Sequence, residues 1–344
     1  MPRCSTRYRN NRRENPLIRV GIIGTGFIAD SHAGAIAGSP RTTLTAIHDR
    51  APEAAQRFIS RWGGVAMPDA EALISSAEVD AVIVCTPNDT HVDLAMAACR
   101  HGKHVLIEKP IALEPVSARA MTDAFAAAGL VFQAGHVHRH TDLGRAVQDC
   151  ITSGALGTIE AIRIAITGGW IWPGWQGWVL DHQRSGGHAL HNGVHLYDLA
   201  SWWLHSPIVK ASALGQQLTS GRLAIDDALV ATLVAESGAS AICEISRGER
   251  PRATALFEVV VQGSAGSLVR AWSSDGGVAF TDEASGPLAA AFNDPFRLQL
   301  DSWADAILDG RPVNPSLSDA VQSVAVADAV TRAARSNRVE EVAR

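Results

Sequence analysis

Three histidines stand within eight residues in the stretch "GGHALHNGVH", near the middle of the chain. If the apolar run "LYDLASWWL" that follows is helical, His188, His191 and His195 are spaced i, i+3 and i+7 and share one helix face. Such a set could ligate zinc, with Asp181 or His182 as a fourth ligand. It could equally transfer protons near neutral pH, or form a polar stripe without chemistry. The stretch alone leaves all three interpretations open.

Length and composition describe a globular protein with enough apolar residues for two domains. The chain has 344 residues, of which 47% are hydrophobic and 19% charged. Its net charge of −5 gives no reason to expect a nucleic acid or an anionic membrane as partner. No uncharged apolar run of about 18 residues is present, which predicts no transmembrane helix. The five cysteines are widely spaced and form no C-x-x-C pair, which favours reduced thiols and a cytoplasmic protein.

The first sixteen residues differ from the rest because they contain five arginines and one glutamate. We expect residues 1–16 to be a disordered, solvated tail rather than an anion-binding arm. The pair Arg12-Arg13 invites interpretation as a twin-arginine export signal. That interpretation fails because Arg19 interrupts the apolar run that follows.

A glycine-rich turn follows the first apolar run, in "IRVGIIGTGFIAD". The pattern is G-x-G-x-x-A, in which two glycines let the backbone approach a pyrophosphate and Ala29 keeps the helix close to the sheet. The next predicted strand ends in Asp49, whose carboxylate can accept hydrogen bonds from ribose hydroxyls, favouring NAD; Arg50 could instead accommodate the 2′-phosphate of NADP. Asp49 could also simply start the following helix. The predicted dinucleotide contacts in this region are Gly24, Thr25, Gly26, Phe27, Ile28, Asp49 and Arg50.

Strands and helices continue to alternate up to about residue 137, which predicts a parallel, doubly wound sheet. Ligands of such sheets bind at the carboxyl ends of the strands. Two polar strand ends fall there, "TPN" after "VDAVIVC" and "EKP" after "HVLI". The second half changes to consecutive strands with short turns, which indicates a largely antiparallel sheet.

The order of these motifs resembles the Gfo/Idh/MocA family, named for glucose–fructose oxidoreductase, inositol dehydrogenase and rhizopine catabolism. The G-x-G-x-x-A turn, "TPN" followed by His91, and "GKHVLIEKP" carry the resemblance, and "VVVQGSAGSLV" and "SWADAILDGRPVNP" extend it. The resemblance implies a Rossmann NAD(P)-binding domain at 17–137. It also implies a substrate-binding and oligomerisation domain at 138–344, with an open-faced sheet and C-terminal helices. The overall class is α/β, and the open sheet implies a homodimer or homotetramer.

The resemblance also implies roles for the residues at the strand ends. Lys109 would polarise a substrate hydroxyl, or hydrogen-bond the alkoxide that precedes hydride loss. Without the family, it would be an exposed strand-end lysine. The further cofactor contacts implied here are Thr86, Pro87, Asn88, His91, Glu108 and Lys109.

The histidine segment departs from the family pattern G-G-G-x-L-x-D-x-G-x-H. His195 matches the family histidine, His191 stands in the aspartate position, and His188 stands where the third glycine would be. Because the chain is one residue short, either His191 or Asn192 could take the aspartate's place. We expect His195 to accept the substrate proton, with His191 binding substrate or relaying the proton. We expect no metal, since the cofactor itself accepts the electrons.

A loop rich in tryptophan and glycine precedes the histidines, "GGWIWPGWQGW". Its rings could stack on the apolar face of a sugar, and Trp172 and Trp175 are the predicted substrate contacts, together with Asn192 and His195. The rings could equally pin the loop onto the sheet.

These inferences predict an oxidoreductase that moves a hydride between NAD, or NADP, and a secondary hydroxyl or ketone of a sugar, cyclitol or glycoside. Two alternatives share the fold. One is a non-redox enzyme that retains NAD and uses transient oxidation for elimination or glycoside cleavage. The other is a regulator that senses a sugar or nucleotide without chemistry.

Overall fold

The structure is a computed structural model. It describes residues 17–168, 177–217, 226–248, 255–271, 277–281, 285–288 and 293–343. The basic tail at 1–16 lies outside the described residues. No helix in these ranges combines the length and the apolar character that crossing a bilayer requires.

The first half forms a parallel six-stranded sheet with helices between the strands. Its elements are β1 (Ile18–Ile23), α1 (Phe27–Gly38), β2 (Thr42–His48), α2 (Pro52–Trp62), β3 (Val65–Ala66), α3 (Ala70–Ser75), β4 (Ala81–Val84), α4 (His91–Arg100), β5 (His104–Ile107), α5 (Pro115–Ala128) and β6 (Phe132–Ala134). The strand order is β3-β2-β1-β4-β5-β6, and all pairs are parallel. The prediction of a doubly wound parallel sheet is confirmed.

Local sequence explains the boundaries of these elements. The central strand β4 reads "AVIV" and all four residues are buried, as expected for a strand covered on both faces. Helix α5 begins at Pro115, where a missing N–H is tolerated, and ends before Gly129, which adopts the left-handed conformation. Because all six strands are parallel, their carboxyl ends lie at the same edge of the sheet.

The second half forms a nine-stranded sheet. Its elements are α6 (Asp142–Thr152), β7 (Ile159–Gly168), α7 (His182–Ser185), α8 (Val194–Leu204), β8 (Ile208–Gln216), β9 (Ala228–Ala235), β10 (Ser240–Ser246), β11 (Ala255–Gly263), β12 (Gly266–Ala271), β13 (Gly277–Thr281), β14 (Ser285–Leu288), α9 (Pro295–Asp309), α10 (Leu317–Ser336) and β15 (Glu340–Glu341). The order is β14-β13-β12-β11-β7-β10-β9-β8-β15, antiparallel except for the β7–β10 pair. This confirms the predicted, largely antiparallel sheet.

The two helices near the C-terminus connect the halves. Helix α9 packs against α1, and its Leu300, Trp303 and Ala304 are buried in the same apolar cluster as β1 and α1. Helix α10 packs against both α5 and the second sheet. The two sheets are separated in sequence by the stretch between β6 and β7, whereas the C-terminal helices contribute to both cores.

Candidate active site

The glycine turn between β1 and α1 has the features of a pyrophosphate site. Gly24 has φ +88°, and a Cβ there would lie 2.6 Å from the Cys85 carbonyl oxygen, so only glycine fits. Gly26 is the N-cap of α1, no side chain caps the helix, and a Cβ at Gly26 would meet nothing within 4 Å. The open space at Gly26 and the uncapped helix start would accept the phosphates of a dinucleotide. Ala29 is fully buried, as its expected packing role requires.

Asp49 at the end of β2 supports this turn directly. One carboxylate oxygen accepts hydrogen bonds from the Thr25 amide and hydroxyl, each at 2.8 Å, and the other accepts one from the Ala51 amide at 2.8 Å. Burial alone would raise the pKa of Asp49, but the hydrogen bonds from Ala51 and Thr25 lower it below its usual value. The ionised Asp49 thus fixes the turn and the start of α2, and Arg50 beside it is exposed.

The end of β4 carries residues that lie between the two halves. A short 3₁₀-helix, Asn88–Thr90, follows it, and the buried Asn88 donates from its amide to the Ser185 carbonyl at 2.8 Å. His91 was predicted to contact the cofactor. Its buried ring instead lies with Nδ1 2.7 Å from the Pro110 carbonyl and Nε2 2.9 Å from the Thr86 carbonyl. We therefore reassign His91 as a support that holds the ends of β4 and β5 together.

Glu108 at the end of β5 forms a buried pair with a residue that sequence reasoning missed. Its carboxylate lies 2.8 Å from Nε2 of His32 on α1. Burial would raise the pKa of Glu108, but the hydrogen bond and charge of His32 lower it. His32 could have been suspected, because it lies three residues after the buried Ala29 on the sheet-facing side of α1.

Lys109 joins the nucleotide half to the histidine segment. Its ammonium donates a hydrogen bond to the backbone carbonyl of His191 at 2.8 Å. Burial lowers the pKa of Lys109 to about 8. A cation close to losing its proton at neutral pH is suited to hydrogen-bonding a substrate oxygen whose charge changes during the reaction.

The three histidines do not lie on one uninterrupted α-helical face. Residues Ala189–Gly193 form one turn of π-helix, and α8 begins only at Val194. The ring of His191 meets Trp178 at a centroid distance of 5.3 Å. His195 instead packs edge-to-face on His138 at 4.5 Å and lies 6.2 Å from His136. The expected one-face arrangement is wrong because the wider turn changes the angle between the rings.

His136 and His138 come from a segment that was not predicted to belong to the site. They follow β6 in the 3₁₀-helix region at Val137–His140, at the carboxyl edge of the sheet. Burial lowers the pKa of His138 to about 4, and burial with His138 and Lys109 lowers the pKa of His195 well below its usual value. The histidine run "GHVHRH" after the last parallel strand was the signal that could have found them.

Asn192 has both ends of its amide engaged inside the protein. Its oxygen accepts a hydrogen bond from Arg247 at 2.9 Å, and its nitrogen lies 3.3 Å from Nδ1 of the buried His188. We therefore reassign Asn192 from substrate contact to support for His188 and Arg247. Arg247, at the end of β10, was also missed, and burial lowers its pKa to about 10.

A buried ion pair anchors the helix that carries His195. Arg139 donates two hydrogen bonds to Asp198, at 2.8 and 2.7 Å, and its guanidinium lies over the Trp202 ring at 4.9 Å. Because His195 and Asp198 are one turn apart on α8, this pair fixes His195 against the segment that carries His138.

The predicted aromatic contacts are only partly covered by the described residues. Trp172 and Trp175 lie outside them, whereas Trp178 is described and packs on His191. In the ranges that the structure describes, no group of three or more His, Cys, Asp or Glu side chains is arranged to hold a metal ion.

Comparison with known proteins identifies the family. The sequence matches "Oxidoreductase family, NAD-binding Rossmann fold" over residues 18–136 and the family's "C-terminal alpha/beta domain" over residues 148–342. The chain belongs to the Gfo/Idh/MocA family of oxidoreductases. The resemblance drawn from the sequence motifs is thereby confirmed, and the first half is an NAD-binding Rossmann domain.

Individual relatives cover most of the chain. Inositol 2-dehydrogenase of Rhizobium meliloti is 28% identical over 341 residues, which are 95% of this chain and 99% of that protein. The 1,5-anhydro-D-fructose reductase of Ensifer adhaerens is 31% identical over 222 residues, 64% of this chain and 66% of that protein. The solved structure of GenD2 from gentamicin A biosynthesis, in complex with NAD, has a TM-score of 0.85 at 25% identity and covers 100% of this chain and 99% of its own.

Proposed function

We propose that the chain is a dehydrogenase or reductase that acts on a secondary carbinol or ketone of a sugar-like or cyclitol-like substrate. The observation that carries this proposal is the hydrogen bond from Lys109 to the His191 carbonyl at 2.8 Å. It brings the end of β5, in the NAD-binding half, against the histidine segment of the second half. A substrate held there would lie between the nucleotide domain and polar groups suited to proton transfer.

The residues present fit a dinucleotide. Gly26 leaves open space at the uncapped start of α1, and Asp49 stands at the end of the neighbouring strand. NAD, when bound, would accept or donate the hydride. We assign the preference to NAD rather than NADP, because the ionised carboxylate of Asp49 would repel a 2′-phosphate.

Lys109 and His195 have different roles at the carbinol oxygen. Lys109 donates a hydrogen bond to that oxygen and stabilises the negative charge that develops on it. His195 accepts the hydroxyl proton, because its lowered pKa keeps it neutral near pH 7. Since Lys109 is the nearby cation and the family aspartate is missing, the protonated His195 is poorly stabilised. That instability favours rapid return of the proton to solvent.

The exposed face of the second sheet supports assembly into a homo-oligomer. Leu214, Val230, Ile242 and Val269 are each at least 40% exposed. Leu214 and Val230 are cross-strand partners, and the partner of Ile242 is Thr232, which shares a face with Val230. Paired subunits would cover this apolar surface, so light scattering should give a mass of two or four chains.

The experiment that tests the activity is a screen for NAD and NADP reduction with polyols, aldoses and glycosides. A His195→Ala variant is the matched control, because it removes the proton acceptor and leaves the glycine turn intact. We expect reduction of NAD that depends on a secondary carbinol and is lost in the variant. Tightly retained NAD without net turnover would contradict the proposal, and so would full activity in the variant.

A further inference from the structure

The hydrogen bonds of Asn88 fix which way its amide points. The Ser185 carbonyl can only accept a hydrogen bond, and it lies 2.8 Å from the Asn88 side chain. The group facing it must therefore be the amide nitrogen. The same nitrogen has a second hydrogen, and Nδ1 of His191 lies 3.2 Å away. Asn88 is itself buried, and its contact with the Ser185 carbonyl lies in the protein interior.

This arrangement determines the tautomer of His191. Since Asn88 donates to Nδ1 of His191, that nitrogen carries a lone pair and the proton of the neutral ring sits on Nε2. Burial, and after it the positive charge of Lys109, lower the pKa of His191 well below its usual value, so the ring is neutral. His191 therefore presents an N–H group and no acceptor at Nε2.

The Nε2 side of His191 is the one left for a ligand. The ring is half-buried, its Nδ1 is occupied by Asn88, and the Trp178 ring meets it edge-to-face at 5.3 Å. The backbone carbonyl of the same residue receives the Lys109 ammonium at 2.8 Å. The Nε2–H group and Lys109 thus belong to one site.

The same hydrogen-bond argument applies to His188, but its ring contacts only the protein interior. Arg247 can only donate, so the Asn192 oxygen faces it at 2.9 Å and the Asn192 nitrogen faces Nδ1 of His188 at 3.3 Å. His188 is buried, and a backbone hydrogen bond to Ile245 acts on its ring. His188 is thus enclosed by protein groups, whereas His191 keeps one polar edge for a ligand.

We infer that the Nε2–H group of His191 forms a donor subsite beside Lys109, and that this subsite selects substrates with an acceptor oxygen, above all a carboxylate, near the reacting carbinol. An aspartate accepts hydrogen bonds from hydroxyls and attracts ammonium groups, whereas an imidazole N–H donates. The positive charges of Lys109 and Arg247 act on the same ring and favour an anionic group there. The substrate class is therefore a sugar acid rather than an amino sugar. This inference deepens the proposed function and uses the same site.

The first test reads the tautomer directly and does not depend on activity. In ¹⁵N-histidine-labelled protein, two-bond nitrogen–proton correlations distinguish a protonated Nε2 from a protonated Nδ1, and His191→Gln assigns the signal. We expect a single Nε2–H form. In Asn88→Leu, which removes the donor at similar size, we expect a mixture of both forms. A protonated Nδ1 in the wild-type protein would overturn the inference.

The second test compares two probes of opposite charge, D-glucuronate and D-glucosamine, by calorimetry with NADH present. We expect D-glucuronate to bind at least about tenfold more tightly, the scale of one charge-assisted hydrogen bond, and His191→Asp to reverse the order. Equal affinities in the wild type would overturn the inference. If glucuronate binds at an Nε2–H His191 but no carbinol is oxidised, the proposed function fails and the polarity of the subsite stands. If a carbinol is oxidised while Nδ1 carries the proton, the subsite inference alone fails.

Discussion

The glycine turn and the histidine segment form opposite parts of the candidate site and are built in different ways. The turn consists of backbone groups, one carboxylate and open space, with Gly24 in a conformation that only glycine adopts easily. The histidine segment consists of buried and half-buried side chains, and several of their partners come from distant parts of the chain. Asn88 is 103 residues from His191, and Lys109 is 82 residues from it.

The glycine turn and the histidine segment therefore depend on different properties, backbone conformation in the first and side-chain neighbours in the second. At the turn, function depends on backbone conformation and open space. A substitution there either strains the backbone, as at Gly24, or fills the space in front of it, as at Gly26.

In the histidine segment, the neighbouring groups differ from ring to ring: Asn88 contacts Nδ1 of His191, Asn192 contacts Nδ1 of His188, and His138 packs on His195. On that basis we propose a donor role for His191, an interior support role for His188 and a proton-acceptor role for His195. The proposed chemistry therefore depends on contacts between the two halves more than on the fold of either.

The largest expected effect is on Lys109, which joins the two regions. Lys109→Met should lower turnover by at least about a hundredfold, the usual scale for a positioned acid–base group, with dinucleotide binding largely retained. Initial rates and NADH titration measure the two quantities. Lys210→Met is the matched control, since Lys210 is half-exposed on β8, and it should leave turnover unchanged. Near-wild-type turnover in Lys109→Met would remove this lysine from the mechanism.

The pH dependence of kcat/KM should report the ionisation of Lys109. The pKa of Lys109 is lowered to about 8, so its positive charge is present below that pH and is lost above it. His195 is already neutral there, so kcat/KM for oxidation should be flat near pH 7 and fall as pH rises through about 8. Lys109→Arg keeps its charge at high pH and should shift the alkaline limb upward, even if turnover is lower. If the alkaline limb is unchanged in this variant, a group other than Lys109 is responsible for that limb.

The two glycines of the turn offer a smaller and more selective test. Gly24→Ala places a Cβ 2.6 Å from the Cys85 carbonyl oxygen at φ +88°, and should lower the free energy of unfolding by at least about 1–2 kcal/mol. Gly26→Ala meets no protein atom, so its stability should stay within about 0.5 kcal/mol of wild type. It should nevertheless weaken NADH binding by about tenfold, because the methyl group occupies the phosphate space. Chemical denaturation and NADH titration distinguish the two outcomes.

The glycine turn could be predicted from the sequence because its geometry depends on local residues, which is also why the two glycine variants are informative. A G-x-G-x-x-A pattern between an apolar strand and a helix specifies its own backbone geometry, so local spacing is sufficient. Buried strands such as β4 and the helix-ending Gly129 are local signals of the same kind.

The histidine segment could be found from its composition, but the partner of each ring could not. The spacing suggested that His191 and His195 act together, whereas the structure places His138 beside His195 and Asn88 beside His191. A π-turn has no clear sequence signal, and it shifts which residues share a face. Pairings between residues so far apart in sequence depend on how the two halves pack.

The smallest expected effect concerns Asp49, which belongs to the glycine turn but acts through charge. Its carboxylate should repel a 2′-phosphate, and the exposed Arg50 beside it should keep the preference for NAD over NADP modest. Asp49→Asn removes the charge but keeps an oxygen that can accept from Thr25, so it should shift the affinity ratio several-fold toward NADP with little loss of NAD binding. Asp49→Ser should shift the ratio similarly but weaken both cofactors, because the shorter side chain no longer reaches both the Thr25 and Ala51 amides. Fluorescence titration of the wild type and both variants with NADH and NADPH measures these affinities. A wild-type protein that binds NADPH several-fold more tightly would show that Asp49 only supports the turn and does not select the cofactor.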